Sequence, residues 1–362
     1  MSTSNKFSRT INIGNTEVSK EGVPYFIADI GANHNGNLEK AKELIYLAAE
    51  AGAHAAKFQH FKAETIVSKH GFENLAGSQS HQDKWKKSVF EVYKDASINL
   101  EWTQTLVDTC KDAGVEFFTS PYSLDLVDFV DPLVPAYKVG SGDITWPEII
   151  NKMGSKNKPL LLACGASTMD EVDFAVNTAL KQTGDIVLMQ CNTNYTASLE
   201  NFKYINLNVL KTLRSMYPDA ILGLSDHTPG HSTVLGAIAL GANVIEKHFT
   251  DNNDSEGPDH KFAMNPQSWR EMVDRSAELY LSLGSSVKKV EDNEKETVIV
   301  QRRSIRVKSS LPIGHIIKQE DLECLRPCPK DAIEPYHLND ILGKKVTTPV
   351  SEGDCIKWHH LK

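Results

Sequence analysis

Short apolar runs rich in β-branched and aromatic residues alternate along this chain with longer stretches whose apolar positions recur every three or four residues. Eight such runs fall between residues 25 and 249: Tyr25–Asp29, 55–59, 116–120, 137–141, 159–164, Ile186–Cys191, Ile221–Asp226 and 244–249. The clearest helical stretches between them are 38–51, 102–113, 169–181 and 202–216. Strands that alternate with helices predict a parallel sheet, and eight is the number that closes a (β/α)8 TIM barrel. Nearly every run begins apolar and ends polar, at Asp29, Lys57 with Gln59, Ser120, Lys138 with Ser141, Asn192, Asp226 with His227, and Glu246 with His248. Barrels of this type build their active sites at the C-terminal strand ends, so these residues are the candidates for chemistry.

The pattern changes after Tyr280. Residues 287–297 are charged and carry no strand signal, which predicts a linker. From 298 the chain shows short strand-like pieces (VIVQ, SIRV), prolines at 312, 327, 329, 335 and 349, and turn glycines at 314, 343 and 353. The predicted organisation is a barrel over 1–286, a linker over 287–297 and a small mixed domain over 298–362.

Composition narrows the function classes. Among 362 residues, 39 basic against 47 acidic side chains leave a net charge of −8, which argues against non-specific nucleic-acid binding. The longest apolar stretch, 234–245, is interrupted by Gly236, Gly241 and Asn243 and is too short to span a bilayer. Residues 1–9 are polar and give no signal-segment pattern. The six cysteines are scattered, as reduced thiols in a cytoplasm would be. The reading is a cytoplasmic enzyme.

Three groups of residues stand out. His227 and His248 end neighbouring strands, and alternation puts Glu246 on the same face as His248. Two such imidazoles suit Mn2+, Zn2+, Fe2+ or Co2+ with coordination positions left open, although two hydrogen-bonded structural histidines would look the same. Lys57 and Lys138 interrupt apolar strands and need anions nearby. Those anions are either Asp29 and Asp143 or a bound phosphate or carboxylate, the latter helped by Ser120, Ser141, Gly140 and Gly142; a Schiff-base lysine is a third reading. Asp29, followed by Asn33, His34 and Asn35, has acid–base or hydroxyl-binding duty competing with turn capping, as does Asp259 in the GPDH loop. Cys324 and Cys328 lack a second pair at metal-ligand spacing, and the Arg302-Arg303 and Lys344-Lys345 doublets read as solvated surface.

Taken in order, IADIGANHNG, KFQ, YKVGSGD, GLSDHTPGH, IEKHFT and GPDH closely resemble the N-acetylneuraminate (sialic acid) synthases, a group that includes the legionaminate and pseudaminate synthases. QRRSIRV, LRPCP, ILGKKV and GDCIKW resemble that family's C-terminal antifreeze-like (SAF) domain. The resemblance implies condensation of phosphoenolpyruvate with the open-chain form of an N-acyl amino sugar, yielding a nine-carbon 2-keto acid and phosphate. It implies a divalent metal, Mn2+ first and Mg2+ or Co2+ as alternatives, on His227 and His248, with Glu246 ordering a water beside it. Lys57, Gln59, Ser120, Lys138 and Ser141 match the phosphoenolpyruvate positions, and Tyr195 and Asp259 the sugar positions. Asp29 is the further candidate for proton transfer or sugar binding. Arg326 matches an arginine delivered into the partner subunit's site, so the resemblance implies a domain-swapped homodimer.

The chain departs from the family pattern at Asp29 and Asp143, where glutamate is usual, at Ala163-Cys164-Gly165-Ala166 for Ser-Thr-Gly-Met, and over 190–196. These changes are expected near the substrate, so the resemblance leaves the sugar as N-acetylmannosamine, the default, or a 6-deoxy diacetamido hexose, with the choice lying in segments 72–85 and 192–198. Two other classes compete: another phosphoenolpyruvate-dependent aldol-type synthase on the same barrel, and a non-catalytic sugar- or ice-binding protein.

Overall fold

The computed structural model describes residues 6–75 and 87–362. It divides into two compact units, Met1–Gly284 and Ser285–Lys362.

The first unit opens with an antiparallel hairpin of β1 (Thr10–Ile13) and β2 (Thr16–Ser19), turning at Gly14 with φ of +58°. Eight parallel strands follow: β3 (Tyr25–Asp29), β4 (Ala55–His60), β5 (Glu116–Pro121), β6 (Tyr137–Val139), β7 (Leu160–Ala163), β8 (Ile186–Cys191), β9 (Ile221–Asp226) and β10 (Ala242–His248). Their order is β5-β4-β3-β10-β9-β8-β7-β6, and β5 and β6 also lie side by side, so the sheet rolls into a nearly closed barrel. This is the TIM-type architecture expected from the alternation of strands and helices.

The helices form where the apolar period and the caps agree. In Leu38–Glu50, Ala41, Leu44, Ile45 and Ala48 are buried at helical spacing, and the Asn37 side chain caps the start by accepting from the Lys40 amide at 3.1 Å. Met169–Ala179 begins with a reciprocal capping box between Thr168 and Glu171. The expected helix over 202–216 is shorter: Asn206 takes a left-handed conformation (φ +50°), so a 3-10 segment Leu199–Tyr204 precedes a helix confined to Val209–Met216.

Alternation along the strands sorts the barrel into an outer and an inner layer. Outward residues such as Phe26, Ala28, Ala56 and Leu222 pack under the helices. Inward residues at the strand beginnings, among them Tyr25, Ile27, Phe118, Leu161, Val187, Met189, Ile221 and Val244, form one apolar cluster with Ile11, Ile13 and Val18 of the hairpin. The hairpin therefore plugs the N-terminal mouth of the barrel. Gly223 is part of this fit, because a β-carbon there would lie 2.7 Å from the Val244 carbonyl oxygen and 2.9 Å from Met189 Cγ. Above this layer the same inward parity delivers polar side chains.

The second unit pairs β11 (Ser304–Val307) with β12 (Leu322–Leu325) and closes on a core that includes Ile305, Val307, Ile317, Ile333, Val346 and Ile356. The SIRV strand forms as expected. VIVQ does not: it lies in a helix, Lys295–Gln301, with Ile299 and Val300 exposed. Four apolar residues fit either period, and here the acidic turn Asp292–Glu294 leads into a helix.

Candidate active site

At the C-terminal strand ends the inward positions converge on a cavity of about 400 Å3. Its lining includes Asp29, Lys57, Gln59, Ser120, Lys138, Ser141, Tyr195, His227, Glu246, His248 and Asp259, the barrel residues that the family resemblance marks as metal, phosphoenolpyruvate, sugar or proton-transfer positions. Arg326 belongs to the second unit, where it is exposed and forms no ion pair or hydrogen bond among the described residues.

The two lysines find carboxylates, but not quite the pair expected. Lys57 Nζ donates to Asp29 Oδ2 and lies 3.6 Å from Glu246 Oε1, and Lys138 Nζ donates to the same Glu246 oxygen at 2.8 Å. Asp143 pairs with neither. Gln59 Nε2 donates to Asp29 Oδ2 at 3.2 Å, and Ser225 Oγ to Glu246 Oε1 at 3.2 Å. Burial alone would neutralise these groups, yet Asp29 and Glu246 outweigh it at Lys57 and hold its pKa above the ordinary lysine value. Burial likewise works against a charged Glu246, but Lys138 and Lys57 win and bring it down to about 2.

Several buried atoms in this cluster lack hydrogen-bond partners among the described residues: Asp29 Oδ1, Glu246 Oε2, Ser120 Oγ and His248 Nδ1. An unsatisfied buried polar atom costs about 1–3 kcal/mol, so their grouping marks the place of a polar ligand.

The imidazoles of His227 and His248 stand with ring centroids 5.4 Å apart. His227 Nδ1 contacts the Asn192 carbonyl oxygen at 3.0 Å, which leaves Nε2 as its free nitrogen when that contact is a donated hydrogen bond. Tyr195 and Phe262 pack against this ring at 4.4 and 5.7 Å between centroids. Burial disfavours a charged His227, but Cys191 and the Asn192 carbonyl outweigh it and raise its pKa. His248 has Nε2 3.5 Å from Asp29 Oδ2 and Nδ1 3.7 Å from Asp259 Oδ2. There burial prevails and lowers the pKa, favouring the neutral, ligating form.

This donor set fits a divalent ion in one respect and leaves it incomplete in another. Two imidazoles and two carboxylates with unpartnered oxygens suit a borderline cation. Among the described residues, however, no three His, Cys, Asp or Glu side chains are close enough to form a ligand group by themselves. Any ion there would take its remaining ligands from water or substrate.

Other strand-end residues face away. Asp226, expected at the site, lies on the outer face of β9 and is fully buried with Lys247 at 2.5 Å, accepting also from Thr228 Oγ1 and Thr233 Oγ1. Asp226 and His227 are consecutive, and consecutive residues of an extended segment point to opposite faces. The departures over 163–166 and 190–196 divide in the same way. Cys164 Sγ donates to the Met189 carbonyl at 3.0 Å, its pKa pushed up to about 12 by burial, and Gln190 Nε2 donates to the Ile205 carbonyl at 2.9 Å. Neither lines the cavity; Thr193 and Tyr195 do. Asp143 also lines it, from the 3-10 turn Ser141–Asp143, and burial raises its pKa to about 6. Of segment 72–85, residues 76–85 lie outside the described residues.

The sequence reading missed Ser225, Tyr93, Tyr122 and the inner face of a helix over Val89–Ala96, all of which line the cavity or pair with its carboxylates. Ser225 was within reach, since it sits two residues before His227 with the same parity.

The NeuB family model matches residues 44–288 and the SAF domain model residues 302–362. An N,N'-diacetyllegionaminic acid synthase of Legionella pneumophila is 34% identical, over 93% of this chain and 94% of its own length. A pseudaminic acid synthase of Campylobacter jejuni is 29% identical, over 96% of this chain and 98% of its own. Among solved structures, an N-acetylneuraminic acid synthetase of Leptospira borgpetersenii in complex with citrate superimposes with a TM-score of 0.70 at 25% identity, covering 81% of this chain and 96% of that one.

Proposed function

The chain belongs to the NeuB family, and from that premise we propose that it is a nonulosonate synthase. It joins C3 of phosphoenolpyruvate to the aldehyde carbon of an open-chain N-acyl amino sugar, and water and phosphate exchange at C2 gives a nine-carbon 2-keto acid. The observation that carries this reading is the meeting, in one cavity, of two buried ammonium groups and two imidazoles around carboxylates with unpartnered oxygens.

Lys57 and Lys138 are the groups for an anion of the size and charge of phosphoenolpyruvate, with Gln59, Ser120 and Ser141 as further donors. The unpartnered Ser120 hydroxyl supports this placement. Asp29, Tyr195 and Asp259 face the sugar, held so that its carbonyl carbon meets C3 of phosphoenolpyruvate. Asp29 Oδ1 and Glu246 Oε2 are free to accept the proton of the water that adds at C2, and the lysines stabilise the departing phosphate. His227 and His248 are the residues to hold a divalent ion, Mn2+ in this proposal, and such an ion would supply Lewis-acid polarisation of the aldehyde oxygen. A Schiff-base reading is disfavoured, because Asp29 and Glu246 hold Lys57 protonated where that chemistry needs a neutral amine.

Arg326, exposed and without a partner on its own unit, is proposed to complete the sugar end in a partner subunit, as a domain-swapped homodimer would allow. The setting we propose is cytoplasmic: all six cysteines are free thiols, and among the described residues no helix is long and apolar enough to cross a membrane.

The test is phosphate release from phosphoenolpyruvate with Mn2+ across N-acetylmannosamine, 2,4-diacetamido-2,4,6-trideoxy hexoses and arabinose 5-phosphate. Release with an acylamino sugar, abolished by chelation, is the expected result. Release with arabinose 5-phosphate alone would replace the proposal with a different keto-acid synthase.

A further inference from the structure

Two connections meet at the rim of the barrel: residues 30–37 after β3 and residues 249–263 after β10. At their base the Phe249 amide donates to the Asp29 carbonyl at 2.8 Å, and Asn33 Nδ2 donates to the Phe249 carbonyl at 2.9 Å. Further out the link passes to one side chain, His260, which is fully buried and does not line the cavity. Its Nε2 lies 3.2 Å from Asn35 Oδ1 and its Nδ1 2.7 Å from Thr250 Oγ1. An amide oxygen only accepts, so Nε2 carries the proton and Nδ1 accepts from the Thr250 hydroxyl. Burial lowers the pKa of this imidazole, which favours that neutral form. The two nitrogens therefore have separate tasks. Nδ1 ties His260 into its own loop, and Nε2 reaches across to the other.

The surroundings protect this bond. A β-carbon on Gly257 would lie 2.7 Å from His260 Cδ2 and 3.4 Å from Asn35 Oδ1, so the glycine lets the GPDH backbone lie directly over it. Asn253 Nδ2 holds the loop closed, donating to the carbonyls of His260 at 2.9 Å and Ala263 at 2.7 Å. Asp259, the preceding residue, points the other way. Its carboxylate lines the cavity with Oδ2 3.7 Å from His248 Nδ1, and it accepts no hydrogen bond among the described residues. A β-carbon on Gly31, in the facing loop, would stand 3.1 Å from that same oxygen. Backbone on both sides locates the carboxylate, and His260 fastens that backbone.

We propose that His260 is a positioning residue for the sugar end of the site: by joining the loop after β10 to Asn35 of the loop after β3, it fixes the place of the Asp259 carboxylate. The proposal rests on the condensation inferred above, in which Asp259 faces the sugar. Misplacing a group that holds substrate by about 1 Å costs up to about 100-fold in rate. Phosphoenolpyruvate, seated on the strand lysines, is expected to be indifferent to this loop contact.

The test separates the two nitrogens. In His260→Gln the side-chain amide reaches as far as Nε2 and still donates to Asn35, whereas in His260→Asn the shorter amide takes the place of Nδ1 and stops short of it. His260→Asn is expected to raise KM for the acylamino sugar about 10-fold with KM for phosphoenolpyruvate within about twofold, and His260→Gln to stay within about threefold of wild type on both. Hydrogen exchange of the protein without substrates reads the link directly. In His260→Asn the amides of 30–37 as well as 249–263 are expected to exchange about fivefold faster, the worth of one lost hydrogen bond, and in His260→Gln they are not. Asn35→Gly removes the acceptor at an exposed position whose φ of +51° suits glycine, and should speed exchange across 249–263 by a similar factor. That variant keeps the test available should a buried substitution fold poorly. Unchanged exchange of 30–37 in His260→Asn, or of 249–263 in Asn35→Gly, overturns the link. Equal rises in both KM values, or a His260→Gln variant as impaired as His260→Asn, overturns the positioning role. No turnover of any acylamino sugar by wild-type protein would overturn the reaction, and with it the role given to Asp259, while the exchange measurement still decides the link.

Discussion

Replacing Lys247 by methionine removes one half of an ion pair whose side chains are each 1% exposed. Asp226 would keep its hydrogen bonds from Thr228 Oγ1 at 2.8 Å and Thr233 Oγ1 at 2.7 Å, but no counter-charge. The Thr228 carbonyl would lose the Lys247 ammonium, now 2.6 Å away. Breaking a buried pair on one side costs about 3–5 kcal/mol, mostly because the remaining charge stays desolvated. For a domain of this size each kcal/mol shifts Tm by roughly 2–4 °C, so Lys247→Met should melt about 6–20 °C below wild type. The double variant Lys247→Met/Asp226→Asn removes both charges and provides an amide that can donate to the freed Thr228 carbonyl. It should recover most of the loss and melt within about 6 °C of wild type. Circular dichroism melts of wild type, both single variants and the double variant close the cycle. A Lys247→Met variant less than 2 °C below wild type, or strictly additive losses in the double variant, would refute the argument that the desolvated charge dominates.

His248→Ala should abolish phosphate release and weaken Mn2+ binding, measured by electron paramagnetic resonance titration, with the circular dichroism spectrum unchanged; near-normal turnover at saturating metal would remove His248 as a ligand. Arg326→Ala should raise KM for the amino sugar more than KM for phosphoenolpyruvate, and the reverse order would exclude the sugar end as its place. Asp143 gives a pH signature. Its folded pKa of about 6 lies above the roughly 3.9 of an unfolded aspartate, so the folded state binds its proton more tightly. The stability this group contributes is therefore complete below about pH 4 and is lost as pH rises through about 6. Asp143→Asn should match wild type in Tm near pH 4 and exceed it above pH 7, and a Tm difference that does not vary with pH would contradict the assigned environment.

The barrel was legible because its strands are short, bounded and eight in number, and the site because charge interrupts apolar strands where burial would otherwise forbid it. Alternation explains both the success at Glu246 with His248 and the failure at Asp226. The polar end of a strand supplies residues to both faces, and only every second one reaches the cavity. That the lysines share Glu246 was not legible, since the pairing joins β4, β6 and β10 across the barrel, which no local pattern encodes. The helix Val89–Ala96 was missed because eight residues carry little more than two turns of periodicity. VIVQ was misread as a strand because four residues carry even less.

The hairpin at the N-terminal mouth makes the barrel a cup rather than a tube. With Ile11, Ile13 and Val18 filling the floor, the two reactants of the proposed synthase share one doorway, and the seats they take lie at different depths. Lys57 and Lys138 lie deeper in the barrel wall, on the strands themselves, while Tyr195, Asp259 and Val92 belong to the connections at the rim. A sugar seated at the rim would obstruct the passage to the lysines beneath it. If the proposed seats hold, loading would be sequential by geometry, the small anion first and the bulky sugar second, with the long keto acid leaving before another anion can enter.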